Sequence, residues 1–259
     1  MELVSRLSTL FGTCVVPLFT KQTGKVPELV GSSFLVSAGS AMFLVSAAHV
    51  FDEIHHLHFY ISPGTIRKLT GRLLKTKLPL DGKRTSERLD VAVLKLEGPM
   101  LPPYPDIGKR AIPVSVLLPD PLPRTNKQYL LIGFPATRTH ANPVSKQIVS
   151  DPVSFRNVSA PYSKYGELRV QAESHIVLPL DLKRTVTANR VIQSFPKPAG
   201  LSGSPLWLLY DQGDLTGPAF TPVVGVVIEH HKAAKALVAT DIGVAIKLID
   251  AAMQNDLEA

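Results

Sequence analysis

Apolar positions in this chain come in short runs separated by polar, glycine and proline residues, a pattern that predicts strands. Thr13-Cys-Val-Val-Pro-Leu-Phe19 is the first run. Ser33-Phe-Leu-Val-Ser37 and Ala41-Met-Phe-Leu-Val-Ser46 follow, and Ala38-Gly-Ser40 between them reads as a tight hairpin turn. His56 to Ile61 and Val91 to Leu96 continue the series. The second half repeats it at Tyr129 to Phe134, Leu168 to Ala172, Pro205 to Tyr210, Val223 to Ile228 and Val244 to Ile246. Only Lys247 to Leu257 has helical spacing, with Leu248, Ile249, Ala252 and Met253 on one side. Between Gly98 and Pro123 lie eight prolines in 26 residues. Proline offers no backbone donor, so this stretch predicts a connector. The expected fold is all-β: two packed barrels and a C-terminal helix. The N-terminal barrel is expected over 1–105, the connector and C-terminal barrel over 106–246, and the helix over 247–259. Barrel closure would remove most open sheet edges.

Composition narrows the class. Hydrophobic residues make up 45% and charged residues 19%, which argues against disorder. The formal charge is +7, but the basic residues are dispersed. No dense Lys/Arg block, aromatic platform or zinc-finger spacing is present, so nucleic acid is not expected as the main partner. Solubility and a mild preference for acidic partners explain the charge. The single cysteine, Cys14, excludes an intrachain disulfide and a Cys/His metal cluster. His55, His56 and His58 have no cysteine or carboxylate cluster around them and read as a polar loop and strand face, so no metal is expected. Leu7 to Phe19 has neither the basic start nor the small-residue cleavage site of a signal peptide. Leu29 to Val50 is long enough to span a bilayer, but its glycines and serines split it into a hairpin. A cytoplasmic protein without membrane contact is expected.

Three local sequences carry candidate chemistry. Gly200-Leu-Ser-Gly-Ser-Pro205 surrounds Ser202 with small residues. A nucleophilic serine needs a backbone that exposes its Oγ and aims amides at a developing oxyanion. The plainer reading is a Gly/Ser loop between strands. Val45-Ser-Ala-Ala-His-Val50 ends an apolar strand in small residues and one histidine, which suits a general base. The plainer reading is a satisfied, partly buried imidazole. Leu89-Asp-Val-Ala-Val-Leu94 opens an apolar strand with Asp90, which suits an acid that orients an imidazole. The plainer reading is a strand cap. Each element alone is weak. Together they run His, Asp, Ser along the chain, an order distinct from those of subtilisin and the α/β-hydrolases.

In these stretches the chain resembles the trypsin-like (chymotrypsin-like) serine peptidases, including bacterial members related to HtrA and the glutamyl endopeptidases. Ala47-Ala-His49 is similar to their small-small-His signature, Asp90-Val-Ala-Val-Leu94 to their acid strand, and Gly200-Leu-Ser-Gly-Ser-Pro205 to their serine loop. Gly31-Ser-Ser-Phe-Leu-Val36, Leu131-Ile-Gly-Phe-Pro135 and Val224-Gly-Val-Val227 resemble flanking strands and turns, and Gly243-Val-Ala-Ile246 the last strand. The resemblance spans about residues 10 to 255. It implies two six-stranded antiparallel barrels with the active site between them. His49, Asp90 and Ser202 would be the triad, and the N–H groups of Gly200 and Ser202 the oxyanion hole. Pro196, Lys197, Ile228, Glu229 and His230 would border the substrate pocket. No cofactor is implied.

The chain departs from the family pattern in places. Leu201 stands where activated zymogens carry an aspartate that pairs with a new N-terminus, so that activation route is not expected. Ser204 replaces a glycine, as in glutamyl endopeptidases, but Val227 stands where those have a pocket histidine. Ile228 stands where many relatives have a polar residue supporting the acid. The expected function is an intracellular endopeptidase acting on protein or peptide substrates. A regulatory protein partner is expected to restrain it, as would suit a bacterial stress or antiviral defence effector. The alternative is a catalytically silent binding module on the same fold.

Overall fold

A computed structural model describes residues 11–20, 27–52, 57–62, 65–97, 111–142, 144, 147–186, 192–209 and 221–254. The first half supplies strands β1 (Val15–Thr20), β2 (Glu28–Ala38), β3 (Ala41–Ala47), β4 (Leu57–Ser62), β5 (Thr65–Lys68), β6 (Gly71–Lys75) and β7 (Val91–Leu96). They form one curled antiparallel sheet in the order β5-β4-β1-β2-β3-β7-β6. Six of them make the barrel, and the four-residue β5 extends it. The two-residue β8 (Ile112–Pro113) adds parallel to β2. The predicted hairpin turn is present: Ala38 pairs with Ala41, and Gly39 takes the positive φ of 58° that such a turn requires.

The second barrel is built from β9 (Gln128–Gly133), β12 (Val153–Val158), β13 (His175–Pro179), β16 (Pro205–Leu209), β17 (Val223–His231) and β18 (Ala236–Asp241). Its order is β12-β9-β16-β17-β18-β13, antiparallel throughout. Beyond β12, the N–H of Ala160 donates to the carbonyl of Val177 on β13 (2.8 Å), which brings the two ends of the sheet together. Two small hairpins, β10 (Thr139–Ala141) with β11 (Ile148–Ser150) and β14 (Thr185–Val186) with β15 (Ile192–Gln193), decorate it. Helices are α1 (Ser163–Leu168) and α2 (Gly243–Gln254). The all-β, two-barrel expectation is met. The expected boundary at 105/106 lies outside the described residues.

Two expected strands are not strands. Leu168 to Ala172 is the end of α1 and the turn after it. Arg169 takes a left-handed φ of 55°, and the N–H of Val170 returns to the carbonyl of Tyr165. The alternation of Leu168, Val170 and Ala172 reflects packing of that turn on the core. Val244 to Ile246 is the first turn of α2. The Oδ1 of Asp241 accepts the N–H of Gly243 (2.9 Å) and so starts the helix before the expected Lys247.

The apolar runs are long because both faces of the central strands are covered. On β3, Met42 and Leu44 pack with Val177, Ile228 and Val238 of the second barrel. Phe43 and Val45 pack into another cluster with Leu130, Trp207, Ile249 and Ala252. β7 behaves in the same way, with Ala92 and Leu94 in the first cluster and Val91 and Val93 in the second. Each such valine, leucine, isoleucine or phenylalanine side chain contributes roughly 1.5–3 kcal/mol when fully buried. Among the described residues, no helix is long and apolar enough to cross a membrane.

The connector is pinned by a buried charge network. Arg124 donates to Asp120 Oδ2 (3.0 Å), to the Asp120 carbonyl (2.6 Å), to Asp241 Oδ2 (3.1 Å) and to the carbonyls of His175 (3.0 Å) and Ala172. Lys127 and the Tyr129 hydroxyl also donate to Asp120, each at 2.6 Å. Burial pushes the Asp241 carboxyl above its ordinary value, against the pull of the Gly243 and Asp120 N–H groups and of Arg124. Removing one member strands the others without water. Arg124→Met is therefore expected to cost about 3–5 kcal/mol in denaturant unfolding. Lys127→Met should cost clearly less, because its side chain is 26% exposed.

Candidate active site

Asp90 precedes β7 and is 7% exposed. Its backbone is left-handed (φ 43°), a conformation that costs most non-glycine residues energy but that aspartate tolerates. That conformation turns the Asp90 carbonyl and carboxylate to the same side. The carbonyl accepts the N–H of Ala48 (2.9 Å), and Oδ1 accepts the N–H of His49 (2.9 Å). Both amides open the 3-10 turn Ala48–Phe51. Oδ2 meets His49 Nδ1 at 2.5 Å. The proton of the neutral imidazole then sits on Nδ1, and Nε2 faces away from the acid. The His49 side chain is 39% exposed.

Residues that the sequence patterns did not single out hold this arrangement. The Thr240 hydroxyl on β18 donates to the Leu89 carbonyl (2.6 Å). His175 Nε2, at the start of β13, donates to the Arg88 carbonyl (2.8 Å). Both side chains belong to the second barrel, and both residues are at most 2% exposed. Ile228 is buried in the core cluster shared by the barrels and brings Asp90 no donor.

Ser202 lies on the turn leading into β16. Gly200 and Gly203 have φ of 94° and 86°, which favour glycine. A side chain at Gly203 would also lie 2.0 Å from both the Ser32 carbonyl and Ser46 Oγ, so the turn docks directly on β2 and β3. Ser32 makes that contact specific. Its N–H donates to the Ser202 carbonyl (2.8 Å), and its hydroxyl donates to the Gly200 carbonyl (2.8 Å). The same hydroxyl accepts the N–H of Phe134 (2.9 Å), and the Ser32 carbonyl accepts the Ser46 hydroxyl (2.7 Å). The structure brings the His49 and Ser202 turns together at Gly31. A Cβ there would meet Val50 Cγ2 at 2.7 Å and the Ser202 carbonyl at 3.2 Å. No hydrogen bond joins Ser202 to His49 among the described residues.

The amides of the turn alternate in a telling way. Leu201 N–H donates to Pro198 (2.9 Å), Gly203 N–H to Val227 (2.7 Å) and Ser204 N–H to Leu201 (3.0 Å). Those of Gly200 and Ser202 have no acceptor among the described residues. The Ala199 carbonyl accepts the N–H of Ala136 (2.8 Å). In a trans peptide the carbonyl and the next N–H point in opposite directions, so the Gly200 N–H faces away from Ala136. Leu201 is 1% exposed and anchors the turn in the core of the second barrel. An apolar anchor thus stands where the resemblance implies a charged one.

The expected pocket residues lie on two flanking segments. Pro196 is half-buried and Lys197 exposed on the stretch before the turn. Ile228 is buried, Glu229 exposed and His230 half-buried along β17. Burial, reinforced by the neighbouring His231, holds the His230 imidazole below its ordinary value of 6.5. A separate 340 Å³ hollow at the Leu208–Leu209 end of β16 touches none of these residues. No cluster of three or more metal-ligating side chains occurs among the described residues.

No protein-family model and no curated protein sequence matches this chain. Solved structures do match. Neuropsin, a serine protease expressed in the limbic system of mouse brain, aligns with a TM-score of 0.58 at 13% identity, over 93% of this chain and 94% of that one. A scabies mite inactivated protease paralogue aligns at 0.56 and 14% identity, over 96% and 94%. The fold is chymotrypsin-like: two curled antiparallel barrels and a C-terminal helix.

Two outcomes follow from this geometry. Ser204 Oγ is buried without a hydrogen-bond partner among the described residues. Ser204→Ala should therefore stabilise the fold by about 1 kcal/mol, read as a higher melting temperature. His230 has a folded pKa below its unfolded one. Its contribution to stability is present above pH 6.5 and is lost as pH falls through the lowered value. Melting temperature against pH should fall less on the acid side of 6.5 in His230→Gln than in the wild type.

Proposed function

We propose that this chain is a serine endopeptidase that hydrolyses protein or peptide substrates through an acyl-enzyme. The alternation of amides around Ser202 carries the reading. The two N–H groups left without an acceptor belong to Gly200 and Ser202, where an oxyanion would need them. The short Asp90–His49 contact supports it as well.

In this mechanism Ser202 Oγ attacks the scissile carbonyl carbon, and His49 Nε2 takes the hydroxyl proton. The carbonyl oxygen becomes an oxyanion facing the N–H groups of Gly200 and Ser202. The C–N bond then breaks, and His49 returns the proton to the leaving amine. Water repeats the sequence on the acyl-enzyme and frees the acid. Asp90 keeps the imidazole proton on Nδ1 and stabilises the imidazolium. Pro196, Lys197, Ile228, Glu229 and His230 border the bound residue. An intracellular setting and a restraining partner, as in a bacterial stress or defence effector, belong to this reading too.

The second reading is a silent protein-binding module. The inactivated mite paralogue makes the fold alone an insufficient guide. Retention of His49, Asp90, Ser202 and both glycines of the turn favours the enzyme. A fluorophosphonate probe should label the wild type and not Ser202→Ala. Absence of labelling under every condition would overturn the enzyme reading. With a peptide substrate taken from a library, Asp90→Asn should lower kcat by about 10⁴-fold, because the wrong tautomer is presented to the serine.

A further inference from the structure

We propose that Ser32, on β2 of the first barrel, is the positioning residue of the oxyanion hole. The inference rests on the peptidase reading and extends it to a residue that does not touch substrate. Ser32 is fully buried. It supplies the donors for two carbonyls of the serine turn, its hydroxyl for Gly200 and its N–H for Ser202, each at 2.8 Å. These are the same two residues whose N–H groups have no acceptor among the described residues. A peptide plane is rigid, so fixing the Gly200 and Ser202 carbonyls fixes the Gly200–Leu201 and Ser202–Gly203 planes, which adjoin the two planes that carry the Gly200 and Ser202 N–H groups. The remaining planes are set by Ala136, which holds the Ala199 carbonyl, and by the Ser204 N–H, which holds that of Leu201.

The hydroxyl has a further role. It accepts the N–H of Phe134 (2.9 Å) while donating to Gly200, and so links β2, the end of β9 and the turn through one oxygen. Without it, the buried Phe134 N–H and the partly buried Gly200 carbonyl lose their partner at once. The Gly200 carbonyl and the Phe134 N–H would then satisfy themselves by moving, and rotation at Gly200 is cheap because it is glycine. The released Gly200–Leu201 plane shares the Gly200 Cα with the plane of the catalytic Gly200 N–H, so a shift there displaces that amide from the oxyanion. The hydroxyl of Ser32 therefore acts on the transition state through Gly200, with little effect on ground-state binding.

The adjacent residue provides the control. Ser33 is equally buried, and its hydroxyl donates to the Val16 carbonyl (2.9 Å) rather than to the serine turn. Ser32→Ala and Ser33→Ala each delete one buried hydroxyl bond from β2. Both should lower the melting temperature. Only Ser32→Ala should slow fluorophosphonate labelling of Ser202, by about tenfold or more, and lower kcat on a library-derived peptide with KM held within about twofold. Ser32→Cys, nearly isosteric but a weaker donor, should fall between wild type and Ser32→Ala, and it carries the comparison if Ser32→Ala does not fold. Equal labelling rates in the Ser32 and Ser33 variants would overturn the positioning role and leave the peptidase reading standing. A wild type that never labels would overturn both.

Discussion

The grip of the first barrel on the serine turn is the contact from which the site takes its shape. Four hydrogen bonds converge on Ser32: two go to the turn, one comes from Phe134 and one from Ser46. None is strong by itself, at about 0.5–1.5 kcal/mol net for each. Their value is geometric. They join a turn of the second barrel to strands of the first, and they leave the amides of Gly200 and Ser202 unspent. Close approach also explains the residue types. Any side chain at Gly203 would collide with Ser32 and Ser46.

The arrangement is reciprocal. The first barrel holds the serine turn of the second, and the second barrel holds the acid of the first. Thr240 and His175 reach across to the carbonyls of Leu89 and Arg88, just before Asp90. Asp90 pays for its left-handed backbone by capping both opening amides of the turn that carries His49. Ile228 leaves the acid without a side-chain hydroxyl, so its described donors are the His49 N–H and imidazole. Tethering the loop does here what an added donor to the carboxylate would do. The buried Asp120–Arg124–Asp241 network ties the connector to the strand and helix beyond β17, and β8 of the same connector pairs with β2 of the first barrel.

Much of this was legible in the sequence, but unevenly. Strands buried on both faces, such as β3 and β7, announce themselves as apolar runs, and the Gly39 turn marks their hairpin. The triad candidates were legible from local context and order. Val170 and Ala172 misled because alternation reports burial, and a folded turn on the core buries alternate residues as a strand does. Val244 and Ile246 misled because the helix start depends on the Asp241 cap. β18 was missed: its Ala236-Leu-Val-Ala-Thr-Asp241 run lies beside the lysines and histidines before it. Ser32, His175 and Thr240 were illegible for a deeper reason. Their partners lie 168, 87 and 151 residues away, and no local pattern encodes a contact at that range.

The apolar anchor at Leu201 bears on how such a turn is controlled. A charged residue at that position can be switched by the arrival of a counter-charge. A leucine that is 1% exposed has no such switch, because its burial is driven by the core and does not change with pH or chain cleavage. Every peptide plane from Ala199 to Gly203 already has a hydrogen-bonded partner on at least one of its groups. A restraining partner of the kind proposed above would therefore have little left to order at the turn. Its available target would be access: the exposed Lys197 on the stretch before the turn, the exposed Glu229 on β17, and the imidazole of His49, which stands 39% open to solvent. Restraint by covering the cleft needs no change in the serine turn, whereas restraint by distorting it must first break the hydrogen bonds of Ser32.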